Sequence, residues 1–417
     1  MIALYLSPLY LIGNIYICCR ALQWLSACSD NTCRPGFRLF FIIVYAFLAL
    51  SIGLAFILPH SGFQRILACI GTYWLGILLY IIIVLGAAEL IRLILHFTHI
   101  IPSETLAARK TFVVAGLICI AAIAFFCIWG IISAVRVRST SYEITINKDG
   151  GKLDELNIAL IADLHLGYTV GPRMMRQMVD KINAQNPDIV LIAGDIFDND
   201  YDAMGNPEEL IRILSQIHSK YGTYAVYGNH DTDEKILAGF TFPSKEKKTS
   251  DPRMDDFLQR AGIRLITEET LLIDDAFYLV GRADEERPGR GVDIRKTPQE
   301  IMDSLDSSKP VIVMEHEPKF LQEIADAGID LHLCGHTHDG QTFPANFLCK
   351  LVWENPAGYL RKDNMQSIVT SGVGLFGPNM RVGTKSEVVH IRFILGILPD
   401  KLPAGRFPPA VSFPTYL

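Results

Sequence analysis

The sequence predicts two parts of different kinds: an all-α transmembrane domain of about four helices over residues 1–138 and an α/β domain over 139–393, with a Pro-rich tail over 394–417. Three observations predict this. Charge is unevenly spread: residues 1–140 hold nine Lys or Arg and three acids, net +6, which leaves 29 basic and 41 acidic residues and a net −12 beyond. Long apolar stretches are confined to the first third. After 140, short β-rich apolar runs alternate with stretches of helical periodicity. The whole chain is 50% apolar and 20% charged over 417 residues, against about a quarter charged in an ordinary soluble domain. One soluble domain, a fibre, a disordered chain and a small disulfide scaffold are all excluded.

A spanning helix needs about 20 mostly apolar residues. Four stretches meet this: 1–19, weakened by Pro8, Gly13 and Asn14; 39–58; 66–88, ending at Glu89; and 112–135. The first has no basic leader, which argues against a cleaved signal peptide. Arg20, Arg34 and Arg38 lie between the first and second stretches, Arg92, Arg109 and Lys110 between the third and fourth, and only Arg65 between the second and third. The excess of short-loop Lys and Arg puts the first and third loops in the cytoplasm and the C-terminal domain on the extracytoplasmic side, although Arg136 and Arg138 pull the other way. Glu89 and Arg92 read as an i,i+3 pair at the interface. Seven of nine cysteines lie in the apolar third, and none has metal-ligand spacing.

The second part opens with the alternating run 141–146. Apolar runs follow at 157–162, 189–193, 223–227, 277–281, 311–314, 329–334, 367–373 and 387–393. Helical periodicity appears at 172–185, 207–218, 252–261, 298–306 and 318–327. This is α/β order, with helices covering the sheets.

Polar chemistry sits where the strands end. Five runs lead at once into Asp163-Leu164-His165, Gly194-Asp195-Ile196-Phe197-Asp198, Gly228-Asn229-His230-Asp231, Glu315-His316-Glu317-Pro318 and Gly335-His336-Thr337-His338-Asp339-Gly340-Gln341. Ligand sites of open α/β sheets form outside the carboxyl ends of strands. Asp, Asn and His donors without thiolate suit manganese, iron or zinc. Seven donors (Asp163, His165, Asp195, Asn229, His316, His336 and His338) are too many for one catalytic ion with an open position. They suit two divalent ions roughly 3.5–4 Å apart that share a carboxylate. Asp163 and His165 are expected on one side of a strand by alternation, as are His336 and His338. Glycines 194, 228 and 335 allow sharp backbone turns beside the ions.

The order DxH, GDxxD, GNHD, HxP, GHTH resembles the calcineurin-like metallophosphoesterase superfamily. Within it the chain resembles the membrane-anchored branch with GHTHxGQ, here Gly335–Gln341, then Pro344, Ser371-Gly372-Val373-Gly374 and Arg381. The resemblance covers about 140–393 and implies a four-layer αββα sandwich. It implies that Asp163, His165 and His338 hold one ion, that Asn229, His316 and His336 hold the other, and that Asp195 bridges them. It further implies that His230 is a non-ligand acid oriented by Asp231, that Asp198 stands behind the ligands, and that Arg381 contacts substrate phosphate or braces a loop. Many relatives have Gly at Asp339, whose carboxylate is expected to face water.

The expected activity is phosphomonoester or phosphodiester hydrolysis. Two ions neutralise phosphate oxygens, a metal-bridging hydroxide attacks in line, and His230 assists the leaving group. Tethering to a membrane favours a lipid-linked or envelope substrate, and the −12 balance of 141–417 argues against nucleic acid. A membrane receptor or scaffold that only binds a phosphorylated ligand would show a degenerate site, and here no ligand is missing. A lysine run, Lys245, Lys247 and Lys248, reads as a solvated face. Monoester against diester preference and oligomeric state are left open.

Overall fold

A computed structural model describes residues 2–396 apart from 235, 238–239, 242–248 and 286–294; of residues 2–6, 236, 237, 240 and 241 it describes the backbone alone. The lysine run and nearly all of the expected tail lie outside the described residues. The chain forms two compact units. One is Met1–Ile132 with the short stretches Lys235–Pro243 and Gly377–Met380; the other is the remainder.

The first unit is built of helices α1 (Ile2–Cys28), α2 (Pro35–Ile57), α3 (Gly62–Thr98), α4 (Ser103–Ala107) and α5 (Arg109–Ala134). Among the described residues, three helices are long and apolar enough to cross a membrane: α2, α3 and α5. The expected span 1–19 falls within α1, whose first side chains lie outside the described residues. Asn14, which weakens that span in sequence, is buried, donates to the Tyr10 carbonyl at 2.8 Å and accepts from the Tyr45 hydroxyl at 3.1 Å. A polar group inside an apolar bundle is tolerated when it is bonded in this way. Helix α3 runs on ten residues past the expected end of its span. At 37 residues it is about 55 Å long, against about 30 Å of hydrocarbon. Its extension carries Glu89, which accepts from both Arg92 at 2.7 Å and Arg20 at 2.6 Å, so the expected i,i+3 pair has a third member.

The second unit contains two six-stranded sheets. The strands are β1 (Val137–Ile146), β2 (Glu155–Ile161), β3 (Ile189–Ala193), β4 (Thr223–Val226), β7 (Ile263–Leu265), β8 (Glu269–Ile273), β9 (Phe277–Gly281), β10 (Val311–Met314), β11 (Leu331–Cys334), β12 (Gly358–Lys362), β13 (Met365–Val369) and β14 (Ser386–Leu395). A two-residue ladder, β5 (Ile236–Leu237) with β6 (Phe240–Thr241), belongs to the first unit. The sheet orders are β1-β14-β2-β3-β4-β7 and β12-β13-β11-β10-β9-β8.

The sheets face each other. Ile158, Leu160, Leu191 and Val226 of one share a core with Leu279, Ile312, Leu333 and Ile368 of the other. The alternate residues Ala159, Ile161, Val190 and Ile192 point outward, under α6 (Pro172–Asn183), α7 (Pro207–Leu214) and α8 (Pro252–Arg260). Val311 and Val313 point outward from the other sheet, under α9 (Pro298–Met302) and α10 (Leu321–Asp326). Strands buried on both faces read as continuous apolar runs, which is why they were legible. The result is the expected four-layer αββα arrangement. It sends the parallel strands β2, β3 and β4 of one sheet, and β10 and β11 of the other, to carboxyl ends that carry the five polar motifs. The sequence did not reveal α11 (Ala345–Val352) or the short, partly exposed strands β7, β8 and β12.

Candidate metal centre

The expected ligands converge into two donor groups. Asp163, His165 and His338 offer ligand atoms within 4.8 Å of one another, and so do Asp195, His316 and His336. Asn229 joins the second group: its Oδ1 lies 3.1 Å from both His316 Nε2 and His336 Nδ1. Two pairs of imidazole nitrogens face each other, His165 Nε2 with His338 Nε2 at 3.0 Å and His316 Nε2 with His336 Nδ1 at 3.1 Å. Asp195 lies between the groups, with Oδ2 3.1 Å from His316 Nε2 and 3.7 Å from His165 Nε2. Converging imidazole lone pairs and carboxylates, nearly all buried, fit divalent ions of borderline hardness.

Strand alternation does not bring these residues together, contrary to expectation. Strand β2 ends at Ile161 and β11 at Cys334, so both motifs lie beyond regular strand. Instead five ligands adopt left-handed backbone: Asp163 (φ 53°), His165 (45°), Asp195 (49°), His336 (74°) and His338 (51°). Such conformations cost on the order of 1–3 kcal/mol each and persist where the surroundings hold them. The holding bonds run between the motifs: Asp163 N–H donates to the Gly194 carbonyl and His165 N–H to the Asp195 carbonyl, both at 3.0 Å. His336 and His338 accordingly part into different donor groups. Close approach dictates the glycines. A Cβ at Gly194 (φ +84°) would stand 2.5 Å from His316 Nδ1, and one at Gly228 would stand 2.3 Å from Asp195 Oδ1.

Buried charge sets the protonation. Burial opposes the His316 imidazolium, yet Asp195 beside it raises His316 well above the ordinary histidine range. The Asp195 carboxyl is held well below its ordinary value by His316 and His230, against burial. Burial lifts Asp163 to about 6, lowers His230 to about 4, and with His316 lowers His336 to about 3. Asp198 stands 3.4 Å from His165 Nδ1, which leaves His165 Nε2 to the donor group.

Three expectations need correction. Asp231 does not orient His230: its carboxylate accepts the Phe197 N–H at 2.8 Å and the Gly228 N–H at 2.7 Å, bracing the turn, and the partner of His230 Nδ1 is the amide oxygen of buried Asn199. Arg381 is fully buried and, of the two roles left open for it, takes the loop brace rather than the substrate contact. Its guanidinium donates to the Ser371 and Gly374 carbonyls at 2.8 Å and lies 3.3 Å from His338 Nδ1, holding the Gly-rich turn against the second histidine of GHTH. Asp339 is half-buried and lies in neither donor group.

Sequence reading missed Asn199, Gln341, Phe376 and Trp353. Gln341, the last residue of GHTHDGQ, was quoted without a role. Its amide donates to the Phe376 carbonyl and accepts from the Phe376 N–H, both at 2.8 Å. The Phe376 ring thereby stands edge-on to His230 at 4.9 Å and beside His165 at 5.8 Å. On the other side, the Trp353 ring meets His336 at 5.2 Å.

Residues 156–340 match the family profile described as Calcineurin-like phosphoesterase. "Transmembrane protein with metallophosphoesterase domain" of Danio rerio is 29% identical over 414 residues, covering 93% of this chain and 88% of that protein. An uncharacterized metallophosphoesterase of Campylobacter jejuni is 31% identical over 265 residues, covering 61% and 62% respectively. "UDP-2,3-diacylglucosamine pyrophosphatase LpxG" of Chlamydia trachomatis is 22% identical over 238 residues, covering 49% and 70%. With two sheets face to face and the five motifs at their strand ends, residues 156–340 form a calcineurin-like phosphoesterase domain.

Proposed function

We propose that the protein is a membrane-anchored phosphoesterase that hydrolyses phosphomonoesters or phosphodiesters with two divalent ions per chain. Asp195 carries this reading, because a single carboxylate oxygen faces both donor groups. Asp163, His165 and His338 would hold one ion, Asn229, His316 and His336 the other, and Asp195 both. Manganese, iron and zinc all suit these donors. Bound there, the ions supply positive charge against the phosphoryl oxygens and lower the pKa of water.

The chain itself orients the groups that handle protons. Asn199 takes the Nδ1 proton of His230, so Nε2 is the free atom. Burial keeps that ring neutral at pH 7, which suits proton acceptance; donation to a leaving group draws on the protonated fraction. Phe376 walls the His165 and His230 side and Trp353 the His336 side.

The substrate is a lipid-linked or envelope phosphoester on the extracytoplasmic side. Three apolar helices in the chain, the arginine and lysine pattern of the loops, and the name of the chlamydial relative, which refers to a diacylated sugar nucleotide, support this. The test is hydrolysis of bis-p-nitrophenyl phosphate and p-nitrophenyl phosphate after chelation and re-addition of each metal. Activity should return with metal and be absent from Asp195→Ala. Full activity in the chelated protein would overturn the proposal.

A further inference from the structure

Helix α11 presents an apolar face to solvent beside the metal centre. Among the described residues beyond 137, seven large hydrophobics are exposed; five are Phe343, Phe347, Leu348, Leu351 and Val352, and the other two are Leu272 and Phe320. Leu351 and Val352 are 81% and 75% exposed. Phe347, Leu348, Leu351 and Val352 are two adjacent pairs one turn apart, so they form a single stripe. The inner side of the helix rests on the ligand loop. A Cβ at Gly340 would stand 2.6 Å from the Ala345 carbonyl carbon, and Trp353, at the C-terminal end of α11, touches the His336 ring.

We infer that α11 lies in the surface of the bilayer in which the chain is anchored and presents the His336 side of the centre to lipid-borne phosphoesters. The second half of this inference rests on the phosphoesterase reading; the first does not. The occupant follows from three observations. Among the described residues three helices are apolar enough to cross a membrane, so a bilayer is the chain's standing environment. Helix α5 ends at Ala134 and β1 begins at Val137, so two residues, about 7 Å of extended chain, link the last apolar helix to the first strand. Between Ala345 and Val352 there is no acid, and Lys350 holds its ammonium 5.9 Å from the Phe347 ring. Bulky apolar residues outward, one cation and a flanking Trp are the composition of a helix at a membrane interface, where the cation meets anionic headgroups.

The full chain in phosphatidylglycerol-containing vesicles tests this by photocross-linking from Leu351→p-benzoylphenylalanine, with Leu272→p-benzoylphenylalanine as the exposed control. Mass spectrometry should find phospholipid adducts at 351 and few or none at 272. Equal adducts at both positions would overturn the inference, as would cross-links from 351 to residues 397–417 or to a second copy of the chain. For the substrate half, Leu348→Ser with Leu351→Ser should leave turnover of soluble bis-p-nitrophenyl phosphate unchanged. The same variant should lower turnover of hexadecyl p-nitrophenyl phosphate in vesicles roughly fivefold, as buried apolar area is lost. A fall in both activities, or in neither, would overturn that half. If the wild type hydrolyses neither diester, the phosphoesterase reading fails while the cross-linking result stands by itself.

Discussion

His230 donates its Nδ1–H to Asn199 Oδ1, and Asn199 is itself fixed by donating its amide to the Thr232 carbonyl at 3.1 Å. The orientation of one amide thus selects the tautomer of the histidine and leaves Nε2 without the proton. Burial lowers His230 to about 4, so the neutral ring dominates at pH 7. Asn199→Asp would place a carboxylate on Nδ1–H and favour the cation, raising the pKa of His230 by roughly 1–3 units. The limb of the kcat/KM profile that His230 sets should move up by that amount. An unmoved limb in a folded variant would remove His230 Nε2 from proton handling.

Metal loading must displace a proton. Asp195 and His316 form a buried carboxylate–imidazolium pair at 3.1 Å, with His316 raised well above the ordinary histidine range. A ligating imidazole is neutral, so the first equivalent of metal should release about one proton per chain at pH 7. Apparent affinity should therefore weaken as pH falls. Titration calorimetry of manganese in two buffers of different ionisation enthalpy measures the proton count, and a count of zero would contradict the pairing.

Glu315 anchors the end of β10 in a buried charge cluster. Its Oε2 accepts from Arg282 at 2.6 Å and its Oε1 from His332 at 3.0 Å. Burial opposes the carboxylate, but His332, Arg282 and Arg295 hold it at about 2, against 4.5 ordinarily. A depressed carboxyl stabilises fully above its unfolded value and loses that stabilisation as pH falls from about 4.5 toward 2, on the order of 3 kcal/mol in all. Glu315→Gln should cost roughly 3–5 kcal/mol at pH 7, because buried Arg282 and half-buried Arg295 lose their counter-charge. Faster amide exchange in 311–314 and 331–334 of the full chain would report it.

Gln341 holds Phe376 by both main-chain groups. Gln341→Leu keeps the bulk and removes both bonds, leaving two main-chain groups unsatisfied at about 1–3 kcal/mol each. Amide exchange at Phe376 should quicken, and kcat should fall more than KM rises if the ring walls the reacting centre. Phe376→Leu should reproduce the kinetic loss without quickening the amide at position 376.

The seven candidate donors could be singled out before any coordinates, and the layered architecture was legible too. Asp163, Asp195, Asn229, His316 and His336 follow apolar runs directly, and a run buried on both faces is a local pattern that announces where its carboxyl end lies. The spacing of DxH and HxH misled, because alternation holds only within a strand and these residues lie beyond one, in left-handed backbone. Helix α11 was illegible for a related reason: its apolar stripe faces outward and does not mark a core.

The sequence by itself determined the donor chemistry, the order of the strands that deliver it and the apolar helices that precede it, since these depend on residue type and near-neighbour periodicity. Only the tertiary structure decided that Asn199 and not Asp231 is the partner of His230 Nδ1, that Arg381 clamps a turn, and that Gln341 holds Phe376. Those contacts join residues 31, 10 and 35 positions apart and depend on where two sheets bring separate loops to one place. No local pattern records that meeting, because side-chain hydrogen bonds of this kind form only after the strands have packed.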